Sequence, residues 1–270
     1  MLALIAGQGR LPALLYGALA EQGAAPHVAE LLEHPADIPG VTPQVFRVEH
    51  LGSFLKSLLE RGVTEVCFAG SIARPALDPS AIDADTMPLV PQMMAALSAG
   101  DDGALRAVLS IFEGAGLSVR AAHEILPDLL PAPGSLSEKS PSDRDRSDAT
   151  RGAAIVAAMG AADTGQACVV AAGQALAIEA LGGTDWMLST LAGENRPKGP
   201  SGGILFKAAK PDQDRRIDLP VIGPETVRLA QQAGLGGIVI PAGDVMILDR
   251  AETIAEADRL GLFLWVEGPG

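Results

Sequence analysis

Short apolar runs alternate along this chain with segments in which apolar residues recur every three to four positions. Strands that alternate in this way with helices are typical of a parallel sheet covered by helices. The chain is therefore predicted to have an α/β fold. In the first half, strands are predicted at residues 2–6, 44–48 and 65–69, and helices at 11–22, 54–61, 91–98 and 104–114.

The second half has the same mixture of periodicities. Between the halves, residues 127–148 contain four prolines and a polar run rich in Ser and Asp, a composition typical of an interdomain linker. We predict two domains, residues 1–130 and 149–270, joined by a linker at 131–148. In the second domain, strands are predicted at 167–171, 176–180, 204–207, 237–240 and 262–266, and helices at 149–161, 224–233 and 251–260.

The charge balance limits the partners of the chain. Its 270 residues contain 20 Lys and Arg against 33 Asp and Glu, a formal net charge of −13, with six Phe, two Trp and one Tyr. Nucleic acids are bound mainly through cations and stacked aromatic rings, so we expect no nucleic-acid partner. The start lacks the basic region of a signal peptide, and no apolar run approaches the roughly 20 residues of a membrane helix. These features predict a cytoplasmic protein.

A glycine-containing turn follows the first predicted strand. Gly7, Gln8 and Gly9 lead into a helix, where backbone N–H groups and the helix dipole can receive an anion. Pro12 stands where a dinucleotide fingerprint has its third glycine, so the full NAD-binding motif is not favoured. A tight strand-to-helix turn explains the two glycines equally well.

Two further polar segments lie in the first half. Ser71 and Arg74 follow a buried strand, at the carboxyl edge where α/β sheets bind ligands, and Arg74 is suited to clamp a phosphate. Asp101 and Asp102 precede a helix that contains Arg106, and helix capping with an Asp102–Arg106 pair accounts for them without a substrate. A substrate contact stays open for both aspartates.

In the second half, Glu179 lies in an apolar segment, where a carboxylate requires a partner or a metal ion. Thr184 and Asp185 follow closely, and either would also serve as a helix cap. The short stretch that comes next carries six cations: Arg196, Lys198, Lys207, Lys210, Arg215 and Arg216.

Asp212, Asp214 and Asp218 are interleaved with the last of these cations and offer the hard oxygen ligands that suit Mg²⁺ or Mn²⁺. Cations together with metal-binding carboxylates are what metal-assisted phosphoryl transfer requires. A solvated, charge-paired loop is the alternative explanation.

Taken in order, several motifs resemble one known family. They are Ile5–Pro12, His50-Leu-Gly52, Phe68–Pro75, Gly100-Asp-Asp102, Glu179, Gly183-Thr-Asp185, Lys210–Pro220, Gly234–Gly237 and Ala257–Phe263. The set is similar to the LpxI-type UDP-2,3-diacylglucosamine pyrophosphatases of lipid A biosynthesis and spans nearly the whole chain. Two positions depart from the family pattern: Asp212 stands where a glycine is expected, and Gly182 where an acidic residue is common.

The resemblance implies a Rossmann-like N-terminal domain and a distinct α/β C-terminal catalytic domain. It also implies hydrolysis of UDP-2,3-diacylglucosamine to UMP and 2,3-diacylglucosamine 1-phosphate with a divalent cation, Mg²⁺ or Mn²⁺. The implied catalytic residues are Asp185, Asp214 and Asp218, and the implied metal ligands are Asp214, Asp218 and Glu179. The implied substrate contacts are Gly7, Gln8, Gly9, Ser71, Arg74, Asp101, Asp102, Thr184, Lys207, Lys210 and Arg216.

The lipid substrate implies peripheral contact with the cytoplasmic face of the inner membrane, and a homodimer is a further expectation. Two other functions stay open from the residues alone. One is a nucleotide-dependent oxidoreductase that uses the turn at Gly7–Gly9, and the other is a non-catalytic module that binds nucleotides or lipids.

Overall fold

The structure is a computed structural model that describes residues 1–73, 75–98, 100–193, 196, 198–211 and 213–268, without the side chains of Asp101 and Asp102. The chain forms two compact units. Unit 1 comprises Met1–Leu126 together with Asp214–Asp218, and unit 2 comprises Pro127–Gln213 together with Leu219–Gly270. Unit 1 therefore takes a short peptide from the second half of the sequence.

The described part of unit 1 is built on a five-stranded parallel sheet in the order β3-β2-β1-β4-β5. This strand order is that of Rossmann-type folds, in which ligands bind at the carboxyl ends of the strands. The strands are β1 (Leu2–Ala6), β2 (His27–Leu31), β3 (Gln44–Phe46), β4 (Glu65–Ala69) and β5 (Ser118–Val119). The helices are α1 (Leu11–Glu21), α2 (Leu51–Glu60), α3 (Val90–Ser98), α4 (Asp101–Gly114) and α5 (Ala122–Ile125).

The core of unit 1 explains why these segments form. All five residues of β1 are buried, as expected of a central strand covered on both faces. In α2, Leu51, Leu55 and Leu58 recur at helical spacing and are buried on one face. Between β3 and α2 the rings of Phe46 and Phe54 stack with their centroids 4.0 Å apart.

Unit 2 contains a six-stranded mixed sheet in the order β6-β13-β11-β9-β7-β8. Strands β9, β11 and β13 are parallel, β6 and β7 run antiparallel to their neighbours, and β8 forms a hairpin with β7. A small parallel pair, β10 with β12, lies outside this sheet. The strands are β6 (Gly134–Ser135), β7 (Ala167–Ala171), β8 (Gln174–Ile178), β9 (Ile204–Lys207), β10 (Val221–Ile222), β11 (Gly237–Pro241), β12 (Met246–Ile247) and β13 (Phe263–Glu267).

The helices of unit 2 are α6 (Asp143–Ala161), α7 (Gly183–Thr190), α8 (Pro224–Gln232) and α9 (Arg250–Leu260). Helix α6 begins earlier than the prediction at residue 149, because the Ser142 hydroxyl accepts the Asp145 N–H and the Asp145 carboxylate accepts the Ser142 N–H. This capping box stabilises a first turn whose charged residues face solvent. Residues 134–135 and 143–148 of the predicted linker thus belong to β6 and α6.

The predicted two-domain α/β architecture is confirmed, with a parallel sheet in one unit and a mixed sheet in the other. Within the described ranges, no helix is both long enough and apolar enough to cross a bilayer. Both cysteines, Cys67 and Cys168, are buried free thiols.

Candidate functional site

The carboxyl ends of β1 and β4 are tied together in unit 1. Gly7 N–H donates to the Ala69 carbonyl at 2.8 Å, and Gln8 and Ser71 exchange two backbone hydrogen bonds at 2.9 Å each. The backbones approach so closely that a Cβ on Gly7 would lie 2.5 Å from the Ser71 carbonyl oxygen. Glycine at position 7 is therefore required by this contact.

These bonds change what the turn can offer an anion. The N–H groups of Gly7, Gln8 and Ser71 point to protein carbonyls, so they do not form the expected anion cradle. Gln8 and Gly9 are exposed, and α1 begins at Leu11, after one intervening residue. Arg74, the fifth residue predicted for this edge, lies outside the described residues.

The His50-Leu-Gly52 motif has a structural explanation. The Gly52 N–H donates to the Thr86 hydroxyl at 2.8 Å, and a Cβ on Gly52 would overlap the carbonyl group of Asp85. The buried carboxylate of Glu49 accepts the Asp78 N–H at 3.0 Å. The start of α2 is thus covered by the segment around residues 78–86, while His50 lines an open cavity of about 400 Å³ beside β3.

Asp214 and Asp218 lie one turn apart in the short peptide that unit 1 takes from the second half. The Asp218 N–H donates to the Asp214 carbonyl at 3.1 Å, which places the two residues on a single turn. Asp101 and Asp102 begin α4, whose later residues include Arg106 and Glu113. The side chains of Asp101 and Asp102 lie outside the described part of the chain.

Arg216 was expected to hold pyrophosphate, but its guanidinium binds carboxylates. Nε and Nη2 donate to the two oxygens of Asp214 at 3.0 and 2.7 Å, and Nη1 donates to Glu113 at 2.6 Å. The hydrogen bonds from Arg216 lower the pKa of the Asp214 carboxyl, and Arg106 adds a smaller electrostatic contribution. Asp214 is therefore a weak base that stays ionised well into the acid range.

In unit 2, a buried chain of polar groups joins Glu179, Thr184 and Lys207. The Thr184 hydroxyl donates to the Glu179 carboxylate at 2.6 Å and accepts from the Lys207 ammonium at 2.8 Å. Lys207 also donates to the Val221 carbonyl at 3.0 Å. Glu179 follows β8 and Lys207 ends β9, so the sheet edge positions both charges. Glu179, for which the sequence indicated a partner or a metal ion, thus has Thr184 as a hydrogen-bond partner.

The other predicted residues of unit 2 have separate surroundings. Asp185 is exposed in the first turn of α7, where a carboxylate interacts favourably with the helix dipole. Lys210 forms an ion pair with Asp163 at 2.5 Å. Arg196 donates to the carbonyls of Ala233 and Gly202, so this member of the predicted cation cluster supports the backbone.

The structure brings together three sets of the predicted residues: Gly7, Gln8 and Ser71; Asp214, Arg216 and Asp218; and Glu179, Thr184 and Lys207. Two hydrogen-bond partners of these residues were not predicted from the sequence. Glu113 is separated by 103 residues from Arg216, and Asp163 by 47 residues from Lys210. Glu113 follows Arg106 by seven residues, which places both on one face of α4. This spacing is the signal in the sequence that would have indicated Glu113.

A divalent cation can be tested against these donors. Among the described residues, no three His, Cys, Asp or Glu side chains form a group that could hold a metal ion. Mg²⁺ is commonly held by one or two carboxylates together with waters and substrate phosphates, so two donors on one turn are chemically sufficient. The turn from Asp214 to Asp218 carries two carboxylates, which is the required number. Both oxygens of Asp214 already accept hydrogen bonds from Arg216, as one oxygen of Glu179 does from Thr184, so a cation at either residue would share its ligand with another donor.

The whole chain resembles one group of known proteins. Residues 1–129 match the model of the LpxI N-terminal domain, and residues 132–265 match that of the LpxI C-terminal domain. The chain belongs to the LpxI family. It is 37% identical to the UDP-2,3-diacylglucosamine pyrophosphatase LpxI of Caulobacter vibrioides over 274 aligned positions, which cover 97% of this chain and 96% of that protein. The chain is thus an enzyme of the LpxI family.

Membership of the LpxI family confirms the resemblance noted in the sequence. The N-terminal match ends at residue 129, and the first segment of unit 1 ends three residues earlier, at Leu126. The family models and the structure therefore divide the chain at nearly the same position. The roles of the individual residues stay predictions, and the structure limits which chemistry each can perform.

Proposed function

We propose that this chain hydrolyses the pyrophosphate of UDP-2,3-diacylglucosamine, releasing UMP and 2,3-diacylglucosamine 1-phosphate. The observation that carries the proposal is the similarity to a named UDP-2,3-diacylglucosamine pyrophosphatase from one end of the chain to the other. The clusters of carboxylates and ammonium groups in the two units supply the chemistry that this reaction needs.

Asp214 and Asp218 are the proposed holders of Mg²⁺ or Mn²⁺. Arg216 lowers the pKa of Asp214, and an oxygen donor that favours its charged form suits a hard cation better than it suits proton abstraction. A bound cation would neutralise charge on the pyrophosphate and lower the pKa of a bound water. The proposed acceptor for the proton of the attacking water is then the exposed Asp185 or, if Asp214 alone holds the cation, Asp218.

Arg216 is the proposed positioning residue for Asp214. Its three donating nitrogens are directed at two carboxylates, and a guanidinium fork fixes a carboxylate through two parallel hydrogen bonds. The expected substrate contact of Arg216 is therefore replaced by this indirect role. Asp214 would otherwise rotate about its side-chain bonds and present its oxygens in several directions.

Lys207 and Lys210 are the proposed cations for the phosphate groups in unit 2. Lys207 is buried and oriented by Thr184 and Val221, so little conformational entropy remains to be lost when an anion binds. Lys210 is held by the half-exposed Asp163, which a phosphate oxygen can replace. In unit 1, Gln8 and Gly9 are the exposed members of the turn and the proposed substrate contacts there, beside Ser71.

The test is incubation of the purified chain with UDP-2,3-diacylglucosamine and Mg²⁺, with UMP measured by chromatography. We expect UMP to accumulate together with a stoichiometric amount of 2,3-diacylglucosamine 1-phosphate, and EDTA to stop the reaction. Binding of the substrate without UMP would contradict hydrolysis and favour the non-catalytic module. Undiminished turnover in EDTA would contradict the role of the cation alone.

A further inference from the structure

Two large apolar side chains protrude into solvent beside the Glu179–Thr184–Lys207 chain of unit 2. Leu181 is fully exposed, and Trp186 is 59% exposed. Leu181 occupies the tip of a turn that the Gly183 N–H closes by donating to the Ala180 carbonyl at 2.9 Å. Exposure of a single leucine is ordinary, but a leucine at a turn tip next to a tryptophan forms a local apolar surface.

The indole ring of Trp186 packs against the backbone of Gly182. A Cβ on Gly182 would lie 2.6 Å from the indole carbons of Trp186, so the ring rests directly on the Gly182 backbone. Leu181 directly precedes the glycine that this ring contacts, and we call the two exposed side chains, Leu181 and Trp186, the apolar tip. Any side chain at position 182 would displace this ring.

The apolar tip lies in a stretch with few charges in an acidic chain. From Gln174 to Thr190 the sequence contains only two ionisable side chains, the buried Glu179 and the exposed Asp185. The surface is convex, because a fully exposed leucine at a turn tip protrudes and cannot enclose an acyl chain as a pocket would. A protruding leucine beside an amphipathic indole is suited to the boundary between the headgroups and acyl chains of a bilayer.

We propose that the apolar tip, Leu181 with Trp186, inserts into a lipid bilayer. The inference rests on the proposed function, since a diacylated substrate resides in a bilayer and Thr184 belongs to the same segment as the tip. Attachment is weak and reversible, because one leucine and one indole bury less apolar surface than a lipid anchor. It is apolar rather than electrostatic, because a chain of net charge −13 is repelled by anionic lipids.

Flotation of the full chain with phosphatidylcholine vesicles tests the proposal without substrate. We expect the wild-type chain to float, Leu181→Asp to lower the bound fraction about tenfold, and the control Leu59→Asp to leave it unchanged. Leu59 is the matched control because it is a half-exposed leucine on α2 of unit 1. A wild-type chain that stays at the bottom of the gradient, or a floating Leu181→Asp chain, would overturn the proposal.

Two further readouts identify the mode of binding. In a Trp265→Phe background Trp186 is the single tryptophan, and its emission should shift to shorter wavelength when vesicles are added. With phosphatidylglycerol vesicles, binding should rise with NaCl as repulsion is screened; a fall would show electrostatic attachment and contradict the inference.

Hydrolysis of a water-soluble, short-acyl substrate separates the two proposals. Leu181→Asp should retain that activity while losing flotation. Loss of both to the same extent would assign the tip to the reaction and overturn its role in membrane binding. A chain that floats but produces no UMP would refute the proposed hydrolysis and leave membrane insertion standing.

Discussion

The guanidinium of Arg216 donates to both carboxylate oxygens of Asp214, from Nε at 3.0 Å and from Nη2 at 2.7 Å. Its remaining nitrogen, Nη1, donates to Glu113 on α4. A cation predicted from the sequence to contact the substrate thus pairs with two carboxylates of its own unit. The pair changes the chemistry of Asp214, because it favours the ionised form of the carboxyl group.

Removal of the Arg216 guanidinium should raise the pKa of Asp214. Hydrogen bonds from Arg216 are the largest cause of the lowered value, so Arg216→Gln should move the pKa up towards the ordinary 3.8 of aspartate. The carboxyl carbon of Asp214, followed by NMR during an acid titration, measures this shift directly. Glu113→Gln is the control, since it leaves both Asp214 hydrogen bonds intact; equal pKa values in wild type and Arg216→Gln would refute the coupling.

Asp214→Ala and Asp218→Ala should each lower kcat for UMP release by about 10²-fold or more while the chain stays folded. The physical reason is loss of a metal ligand or of the group that accepts the proton of water. Circular dichroism and thermal unfolding monitor the fold, and UMP release monitors turnover. Asp128→Ala removes an exposed aspartate on a short helical turn and should leave kcat unchanged. Normal turnover in both site variants would exclude this pair from the reaction.

Thr184→Val should lower the free energy of unfolding by about 1–3 kcal/mol, because it leaves buried Glu179 and Lys207 each short of one hydrogen-bond partner. Thr184→Ser keeps the hydroxyl and should recover most of the loss. Denaturant unfolding of the three chains gives the comparison. If valine is tolerated as well as serine, the hydroxyl does not connect the two charges.

Gly52→Ala should destabilise unit 1 by about 1–3 kcal/mol, since the added methyl group overlaps the backbone at Asp85. Gly17→Ala is the matched control. Gly17 lies within α1 with open space around it, so alanine there should stabilise the helix by about 0.5–1 kcal/mol. Thermal unfolding should therefore shift in opposite directions for the two substitutions, and a shift in the same direction would contradict the packing described for α2.

The ion pairs between α8 and α9 should make stability depend on acid pH. Arg259, followed by Arg228, lowers the pKa of Glu256 from its ordinary 4.5 to about 2 in the folded chain. A lowered folded pKa stabilises the fold above pH 4.5, and this contribution is lost as the pH falls towards 2. The Tm difference between wild type and Glu256→Gln should be constant above that window and shrink within it. A difference at pH 2 as large as the one above pH 4.5 would refute the assignment.

Much of the fold was predictable because buried strands are short apolar runs bounded by turns. The strands at residues 2–6, 65–69, 167–171 and 204–207 were predicted with their observed bounds. Strand β2 was missed, since His27 and Glu30 interrupt its apolar pattern. The first turns of α6 were assigned to a linker, because a solvated helix start has the composition of a loop until its capping box is noticed.

The site was less predictable than the fold. Local composition indicated that Glu179 needed a partner. Thr184 donates to Glu179, and Lys207 donates to Thr184, only when β8, β9 and α7 are packed together. The interleaved charges near Arg216 predicted an anion site, whereas the fold uses Arg216 to pair two carboxylates. Spacing along the chain identifies charged residues, and only tertiary structure decides whether they bind each other or a ligand.

The peptide Asp214–Asp218, which unit 1 takes from the second half of the sequence, makes that unit discontinuous. A recombinant fragment that stops at Leu126 would lack Asp214, Arg216 and Asp218, along with the Arg216–Glu113 ion pair. If the first half were exchanged with that of a relative, the α4 helix of the relative would likewise have to pack against the Asp214–Asp218 peptide of this chain. The two halves of this enzyme are therefore not freely interchangeable in evolution. A substitution at Glu113 changes the surroundings of Arg216, about a hundred positions later in the chain.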